Sequence, residues 1–383
     1  MAKTFDICIR GAGIVGRALA LHLAARQLRV ALMAPVPYAP LANASAAPDI
    51  RAYAISQASR EVLEAVRCWP DAQYATPVVS MLVVGDDGGQ VGFSAAEQGC
   101  AALNWIVDVP ALEEQLTGAV RFQPLIEMVN TPAAAALTVV CEGKASVTRE
   151  AWGVQTDVTP YHQWAIACRV RTAQPHAQTA RQWFNQGDIL AFLPLEGESG
   201  NLCAMVWSVT PERAQELLDL PQTEFCVAVE AASHHAVGAL SLEGERASWP
   251  LQHAVAQRWS GIGPQGAWVL AGDAAHTVHP LAGQGLNLGL ADVAELVRVL
   301  TTRPYWRSVG DPKLLRQYER ARKADFAMMG QANDALQQVL TRTHPALQAL
   351  RNWGMNRFDQ SGRIKHWVAD RARGASGNTR LQD

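Results

Sequence analysis

Several features that would mark common protein classes are missing from this chain of 383 residues. It has no apolar run long enough to span a bilayer, and its start shows no signal-peptide cleavage pattern. Its seven cysteines are scattered without a Cys-x-x-Cys pair, which argues against a disulfide or zinc framework. The formal net charge of −2 argues against a general nucleic-acid binder. We therefore expect a cytoplasmic protein that is at most peripheral to a membrane.

The order of the sequence patterns predicts an α/β fold with two interleaved domains. With 49% hydrophobic and 18% charged residues, the chain can bury a sizeable core. A Rossmann-like dinucleotide-binding domain is expected over residues 1–70, 101–158 and 260–300, where strand, turn and helix patterns alternate. A β-rich domain is expected over residues 71–100 and 159–259. Residues 301–383 are expected to form C-terminal helices.

A glycine motif joins the first predicted strand, FDICIR, to the first predicted helix. Gly11, Gly13 and Gly16 form Gly-x-Gly-x-x-Gly, with Ile14 and Val15 between the last two. In this setting the first glycine allows the tight turn, the second lets the backbone approach a pyrophosphate, and the third lets helix pack on strand. The motif favours dinucleotide binding, and a plain tight turn is the alternative.

A second stretch, GDAAHTVHPLAGQGLNLGLADV, carries polar groups after another buried strand. Asp273 is expected at the carboxyl end of that strand, where ligands bind in doubly wound sheets. A metal site fits poorly, because His276 and His279 lie in a proline-containing loop without a third ligand at the usual spacing. A hydrolase triad also fits poorly, because the chain lacks a nucleophile elbow.

These motifs together resemble the flavoprotein aromatic hydroxylases of the para-hydroxybenzoate hydroxylase superfamily. The stretches GAGIVG, DIRAYAISQASREVLEAV, FLPL and GDAAHTVHPLAGQGLNLGLADVAEL carry the resemblance, which is strongest to the ubiquinone-biosynthesis hydroxylases. The resemblance covers nearly the whole chain. It implies that the first domain binds FAD and that the β-rich domain binds the substrate.

The resemblance also implies which residues bind FAD. In that family Asp273 would hold the ribityl chain, and the loop from Gly283 would pass along the isoalloxazine ring. The expected cofactor-binding residues are Gly11, Gly13, Ile14, Val15, Gly16, Arg51, Glu142, Gly143, Gly272, Asp273, Pro280, Gly283, Gln284, Gly285, Leu286 and Asn287. Pro280, beside the flavin, and His276, for proton movement, are the candidate catalytic residues, although His276 has loop-stabilising hydrogen bonds as an alternative role.

Two positions depart from the family pattern. Ala34 stands at the end of the second predicted strand, where an Asp or Glu usually bonds the adenosine ribose. Glu142, followed by Gly143, stands where the family has an Asp-Gly element, so the carboxylate is one methylene longer. We therefore expect weaker binding of FAD than in a relative with the acid at position 34.

The implied reaction is the hydroxylation of an aromatic ring with NAD(P)H and O2 through a flavin hydroperoxide. The expected substrate is a lipophilic polyprenyl phenol of ubiquinone biosynthesis. Two alternatives stay open: a hydroxylase of a soluble aromatic acid, and a non-catalytic partner of other ubiquinone-synthesis proteins that binds FAD weakly. No nucleic acid and no metal are expected.

The C-terminal tail is the reason to consider a membrane. Residues 341–374 contain the cations Arg342, Arg351, Arg357, Arg363, Lys365, Arg371 and Arg373, against only Asp359 and Asp370. Apolar residues lie between them at roughly helical spacing, which is typical of helices that lie on an anionic bilayer. Peripheral association with the inner membrane and an ordinary surface helix are equally open interpretations.

Overall fold

The computed structural model describes residues 5–34, 50–85, 88–197, 200–278 and 284–341, with backbone only for residue 284 and residues 328–341. The helices of this part are α1 (Ile14–Ala25), α2 (Gln57–Ala65), α3 (Val109–Arg121), α4 (Val147–Ala151), α5 (Pro211–Asp219), α6 (Gln222–Ala232), α7 (Gln284–Thr301) and α8 (Pro312–Thr341). The strands are β1 (Phe5–Arg10), β2 (Val30–Met33), β3 (Ala52–Ile55), β4 (Ala75–Val78), β5 (Ser80–Val84), β6 (Gln90–Ser94), β7 (Asn104–Asp108), β8 (Ile126–Val129), β9 (Ala135–Val140), β10 (Thr156–Thr172), β11 (Thr179–Asn185), β12 (Asp188–Pro194), β13 (Leu202–Val209), β14 (Leu240–Ala256), β15 (Ser260–Gly263), β16 (Gly266–Leu270) and β17 (His276–Thr277).

The first strand and helix form where the sequence patterns predict them. In β1, the side chains of Ile7, Cys8 and Ile9 are 0% exposed, as expected for a parallel strand covered on both faces. Helix α1 begins at Ile14, directly after the glycine turn, and packs against α3 and α7. The chain then enters β2, which pairs in parallel with β1 and completes the predicted βαβ unit.

A six-stranded sheet brings three loops to one edge of the molecule. Its order is β15–β16–β9–β1–β2–β8, and every pairing is parallel except that of the edge strand β15 with β16. Parallel strands end at a common edge, so the loops after β1, β9 and β16 begin side by side at Arg10, Val140 and Leu270. Ligands of doubly wound sheets bind at this edge.

The other two sheets follow the predicted interleaving with two differences. An eight-stranded sheet, β17–β14–β10–β13–β12–β11–β5–β6, gathers strands from residues 80–94, 156–209 and 240–256. Strand β4, from the predicted β-rich segment 71–100, instead pairs with β7 in the sheet β3–β7–β4. Strand β17, from the predicted segment 260–300, joins the eight-stranded sheet. The domain boundaries themselves stay a prediction.

Large aromatic side chains fill the core beside the eight-stranded sheet. Trp183, Phe192 and Trp207 are at most 3% exposed, and the rings of Trp183 and Phe192 meet edge to face at 5.3 Å. Phe225 of α6 packs into the same cluster. These aromatics therefore stabilise the packing of the sheet.

The described helices do not include a membrane span. None of them combines the length and the apolar character needed to cross a bilayer. The tail on which the membrane prediction rests, residues 342–374, lies outside the described residues.

Candidate cofactor site

The turn between β1 and α1 needs glycine at two positions for steric reasons. Gly11 has a φ of +109°, and a Cβ built there would lie 2.3 Å from the carbonyl oxygen of Cys141. A Cβ at Gly16 would lie 1.9 Å from the carbonyl oxygen of Gly11. Both contacts are with backbone, which cannot move aside without disturbing the strand ends. These two glycines therefore shape the turn.

Gly13 has a different environment, which fits a bound phosphate. It is exposed, and a Cβ built there would meet nothing within 4 Å. It is also the N-cap residue of α1, and no side chain in the described part of the chain caps this helix end with a hydrogen bond. The N–H groups of Ile14 and Val15 in the first turn of the helix are therefore suited to an anion. This open helix N-terminus is what a dinucleotide pyrophosphate requires.

The turn after β16 packs directly on the first turn of α1. Gly272 has a φ of +62°, and a Cβ built there would lie 3.3 Å from Val15 Cγ2. A Cβ on Gly289 of α7 would lie 2.7 Å from the same methyl group. Close contact between these backbone segments places the Gly272–Ala274 turn beside the glycine motif, although about 260 residues separate them in sequence.

Asp273 lies in this turn with charged groups of three other segments nearby. It is exposed to solvent, yet the protein packed around its carboxyl raises its pKa by desolvation. Asp292 adds to this rise, whereas His276, Lys144 and Arg51 oppose it. The fold therefore brings the predicted FAD residues Arg51 and Asp273 near enough for the Arg51 charge to oppose the rise in the pKa of Asp273.

The start of α7 adds a second open backbone segment. A Cβ at Gly285 would meet nothing within 4 Å, so backbone there is accessible to a ligand. Leu286, in contrast, is 8% exposed and packs in the core. The Asn287 amide donates to Ala54 O at 2.7 Å and accepts from Ser56 N at 2.9 Å, so it holds β3 and the start of α2 against α7. The predicted FAD contacts Pro280 and Gly283, and also His279, lie outside the described residues.

The Glu142 carboxylate accepts hydrogen bonds from residues of its own loop, of α4 and of β1. It accepts hydrogen bonds from Arg10 Nε at 3.1 Å, Ser146 Oγ at 2.8 Å and Thr148 N at 2.9 Å. These bonds order the loop after β9, in which Gly143 has a φ of +80°. They favour a positioning role for Glu142, and a direct contact of Glu142 or Gly143 with the cofactor stays a prediction.

Arg149 connects that loop to the turn after β16. Its side chain is 9% exposed, and its guanidinium donates to the carbonyl oxygens of Ala274 at 3.1 Å and Lys144 at 3.0 Å. The loops after β9 and β16 are thereby fixed relative to each other.

A buried charged cluster lies beneath the site, and it was not predicted from the sequence. Asp292 of α7 is 0% exposed; its carboxylate lies 2.7 Å from His276 Nε2 and 2.7 Å from Arg322 Nε, and it accepts from Gly272 N at 2.8 Å. Burial would raise the pKa of Asp292, but the charges and hydrogen bonds of His276 and Arg322 outweigh it and lower the pKa. The only sequence signal was a carboxylate close to Leu290 and Val293, two residues of the predicted apolar helix face.

His276 belongs to this cluster and is 2% exposed. Its ring packs against those of Trp259 and Phe326, at centroid distances of 4.9 and 5.1 Å. This setting favours the alternative role of holding the loop, and its catalytic role stays a prediction. Among the side chains described, no group of three His, Cys, Asp or Glu residues is arranged to hold a metal ion.

The fold and these backbone elements define a flavin-binding α/β protein. Residues 94–332 match the family model described as FAD binding domain. The match covers more than half of the chain, so the chain belongs to this family.

Named relatives and solved structures support the same class. The chain is 28% identical over 395 residues to 3-demethoxyubiquinol 3-hydroxylase of Escherichia coli K12, covering 94% of this chain and 96% of the relative. It is 27% identical over 397 residues to ubiquinone hydroxylase UbiL of Rhodospirillum rubrum, covering 97% of this chain and 90% of the relative. Its fold resembles p-nitrophenol 4-monooxygenase PnpA from Pseudomonas putida DLL-E4, with a TM-score of 0.76, 16% identity and coverage of 97% and 98%. It also resembles a variant of HpxO from Klebsiella pneumoniae complexed with FAD, with a TM-score of 0.72, 13% identity and coverage of 97% and 99%.

The family match and the two relatives confirm the family resemblance, FAD as the cofactor and the assignment as an FAD-dependent monooxygenase. The solved structures confirm the α/β fold class. The individual FAD contacts stay predictions, because the comparisons do not test single residues.

Proposed function

We propose that this chain hydroxylates the aromatic ring of a polyprenyl phenol in ubiquinone biosynthesis. The observation that carries the proposal is the meeting of two open backbone segments, at Gly13 and Gly285, with the exposed residue Asp273 on one edge of the sheet. The names of the two relatives, both ubiquinone-pathway hydroxylases, supply the substrate class. FAD, when bound, takes electrons from NAD(P)H and activates O2, so that one oxygen atom enters the ring and the other leaves as water.

The protein's own part in the reaction is binding and positioning. The N–H groups at the start of α1 would hold the pyrophosphate, and the Asp273 carboxylate would accept hydrogen bonds from hydroxyl groups of the ribityl chain. Backbone N–H groups at the start of α7, near Gly285, would stabilise negative charge on the reduced ring. No protein nucleophile is required for these tasks.

The proposal is tested with purified protein saturated with FAD. NAD(P)H oxidation and product mass are measured with two phenols that carry the same ring, one with a short prenyl chain and one with a carboxylate in its place. We expect faster oxidation and a product with one added oxygen for the prenylated phenol. Hydroxylation of the carboxylate compound alone would favour the soluble-acid alternative. Absence of flavin absorbance, with no uptake of added FAD, would favour the non-catalytic alternative, to which Ala34 points.

We also propose that the basic tail brings the protein to the membrane that holds this substrate. The support is the sequence of residues 341–374, with seven cations against two acids. Flotation with anionic vesicles at low and high salt is compared for wild type and Arg363→Glu/Lys365→Glu. Salt-sensitive flotation that the double variant loses is expected, and flotation of neither protein at low salt refutes the proposal.

A further inference from the structure

The loop between α7 and α8 exposes two adjacent aromatic side chains. Tyr305 is 94% exposed and Trp306 is 71% exposed. Their rings meet edge to face, with centroids 5.1 Å apart and an angle of 86° between the planes. Two large aromatics this exposed are unfavourable in water, and neighbouring exposed aromatics commonly mark an interaction surface.

A row of cations follows on the first turns of α8. Lys313, Arg316, Arg320 and Lys323 are spaced by three, four and three residues, so they share one face of the helix, and they line a common groove with Glu319. The Glu319 carboxylate accepts hydrogen bonds from Lys323 Nζ at 2.7 Å and Ser260 Oγ at 2.6 Å. Among the described residues, Lys313, Arg316 and Arg320 are exposed and form no ion pair.

The aromatic pair and the cation row occupy one flank of the six-stranded sheet. A Cβ at Gly310 would lie 3.0 Å from Ala267 Cβ, so the loop lies beside the start of β16. Ala267 pairs with Ile262 of the edge strand β15, and Ile262 is 63% exposed. Helix α8 packs along β15 towards its contact with Asp292. We call Tyr305, Trp306, Ile262 and the row from Lys313 to Lys323 the flank surface.

The flank surface is basic, whereas the chain as a whole is slightly acidic. Residues 303–327 contain seven Arg and Lys residues and three Asp and Glu residues, a net charge of +4, against −2 for the whole chain. The seven cations are Arg303, Arg307, Lys313, Arg316, Arg320, Arg322 and Lys323. Arg322 is buried on Asp292, three of the others are exposed, and Arg303, Arg307 and Lys323 are half-buried.

We propose that the flank surface docks on an anionic lipid bilayer. Tyr and Trp side chains prefer the interface between headgroups and acyl chains, and nearby Lys and Arg are attracted by anionic headgroups. A bilayer requires no deep complementary pocket, which suits two protruding rings beside a shallow row of charges. The inference rests on the proposed function, because a substrate held in the bilayer gives the enzyme a reason to dock there.

The test is flotation of the full-length, FAD-loaded protein without substrate, on phosphatidylcholine vesicles with and without phosphatidylglycerol. Two variants address the flank surface: Tyr305→Ser/Trp306→Ser and Arg316→Glu/Arg320→Glu. Two matched controls make the same kinds of change elsewhere: Phe122→Ser, an aromatic that is 82% exposed near the opposite sheet edge, and Arg26→Glu/Arg67→Glu, both exposed. We expect wild type and controls to bind phosphatidylglycerol vesicles and each flank variant to bind at least about tenfold more weakly.

Equal binding by flank variants and controls would overturn the inference. No flotation of wild type on either vesicle would also overturn it. Weakening by Arg363→Glu/Lys365→Glu alone would assign docking to the tail and also refute it. The proposed chemistry is read separately, as NAD(P)H oxidation with a short-chain phenol in the absence of vesicles. Failure of that reaction counts against the proposed function and leaves the flotation result standing.

Discussion

Asp292 joins segments that are far apart in the chain, through His276, Arg322 and the N–H of Gly272. Asp292→Asn would leave the Arg322 guanidinium buried without its full charge partner. We expect the free energy of unfolding to fall by about 3–5 kcal/mol, the usual loss when one member of a buried ion pair is removed. Urea denaturation followed by tryptophan fluorescence measures this.

Glu295 supplies the matched control on the same helix. Its partner Arg298 is 40% exposed, so Glu295→Gln should cost no more than about 1 kcal/mol. Equal losses for the two variants would mean that the buried cluster contributes no special stability.

Ala34 is the residue at which this chain departs from the usual ribose contact. It directly follows β2, on the same sheet edge as the glycine turn. Ala34→Glu should add a charge-assisted hydrogen bond to a ribose hydroxyl, worth about 1.5–3 kcal/mol, or about tenfold or more in the Kd for FAD. Fluorescence titration with FAD gives the Kd. Ala34→Gln, which lacks the charge, should gain less, and an unchanged Kd for Ala34→Glu would remove the explanation.

Substitutions in the glycine turn should distinguish a residue needed for cofactor binding from one needed for folding. Gly13→Ala should leave the apoprotein as stable as wild type, because its Cβ meets no protein atom within 4 Å, yet it should weaken FAD binding by occupying phosphate space. Gly16→Ala should destabilise the apoprotein itself, because its Cβ would overlap the Gly11 carbonyl.

Thermal unfolding of the apoproteins and FAD titration together distinguish these effects. A loss of apoprotein stability in Gly13→Ala equal to that in Gly16→Ala would show that position 13 also shapes the turn.

The hairpin of β11 and β12 is expected to make stability depend on pH. Burial raises the pKa of Asp188, which pairs with Asn185 at the hairpin end, to about 6. The folded state then holds more protons than the unfolded chain between about pH 4 and pH 6, so this contribution to stability is lost as the pH rises through that window.

Asp188→Asn should therefore match wild type near pH 4 and be more stable at pH 7.5, by about 1–3 kcal/mol given the partial exposure of the side chain. The free energy of unfolding at the two pH values measures this. Asp71→Asn, at an exposed aspartate, is the matched surface control. A parallel offset at both pH values would contradict the assignment.

Across the whole molecule, FAD is expected to couple parts of the chain that meet only in the fold. The predicted contacts come from residues 11, 13–16, 51, 142–143, 272–273, 280 and 283–287, so unfolding any of these segments should release the cofactor. FAD at about 100 times its Kd should add about 2.7 kcal/mol to the free energy of unfolding. Thermal unfolding at increasing FAD concentration should show a rising Tm.

Riboflavin, which lacks the pyrophosphate and the adenosine, is the control ligand and should raise the Tm less. A Tm that is independent of FAD concentration would mean that the cofactor is not bound by the folded state in the way proposed.

Much of the cofactor edge could be predicted from the sequence because its requirements are local. The β1 strand, the glycine turn and the start of α1 depend on a short apolar run and on backbone that tolerates no side chain at Gly11 and Gly16. The same holds for the strand that leads into Gly272 and Asp273. Patterns of strand and helix also indicated two interleaved regions, whereas the sheet partners of β4 and β17 are given only by the structure.

The sequence by itself determined the class of fold and the two glycine-rich elements, because each follows from neighbours along the chain, and its resemblance to a known family indicated FAD as the cofactor. Only the tertiary structure decided that Asp292 holds His276 and Arg322, that Asn287 bonds the β3–α2 segment, and that Glu142 bonds Arg10. These pairs are separated by up to 233 residues. No local pattern encodes such contacts, because a polar side chain in an apolar helix acquires its partner only when another element packs against it.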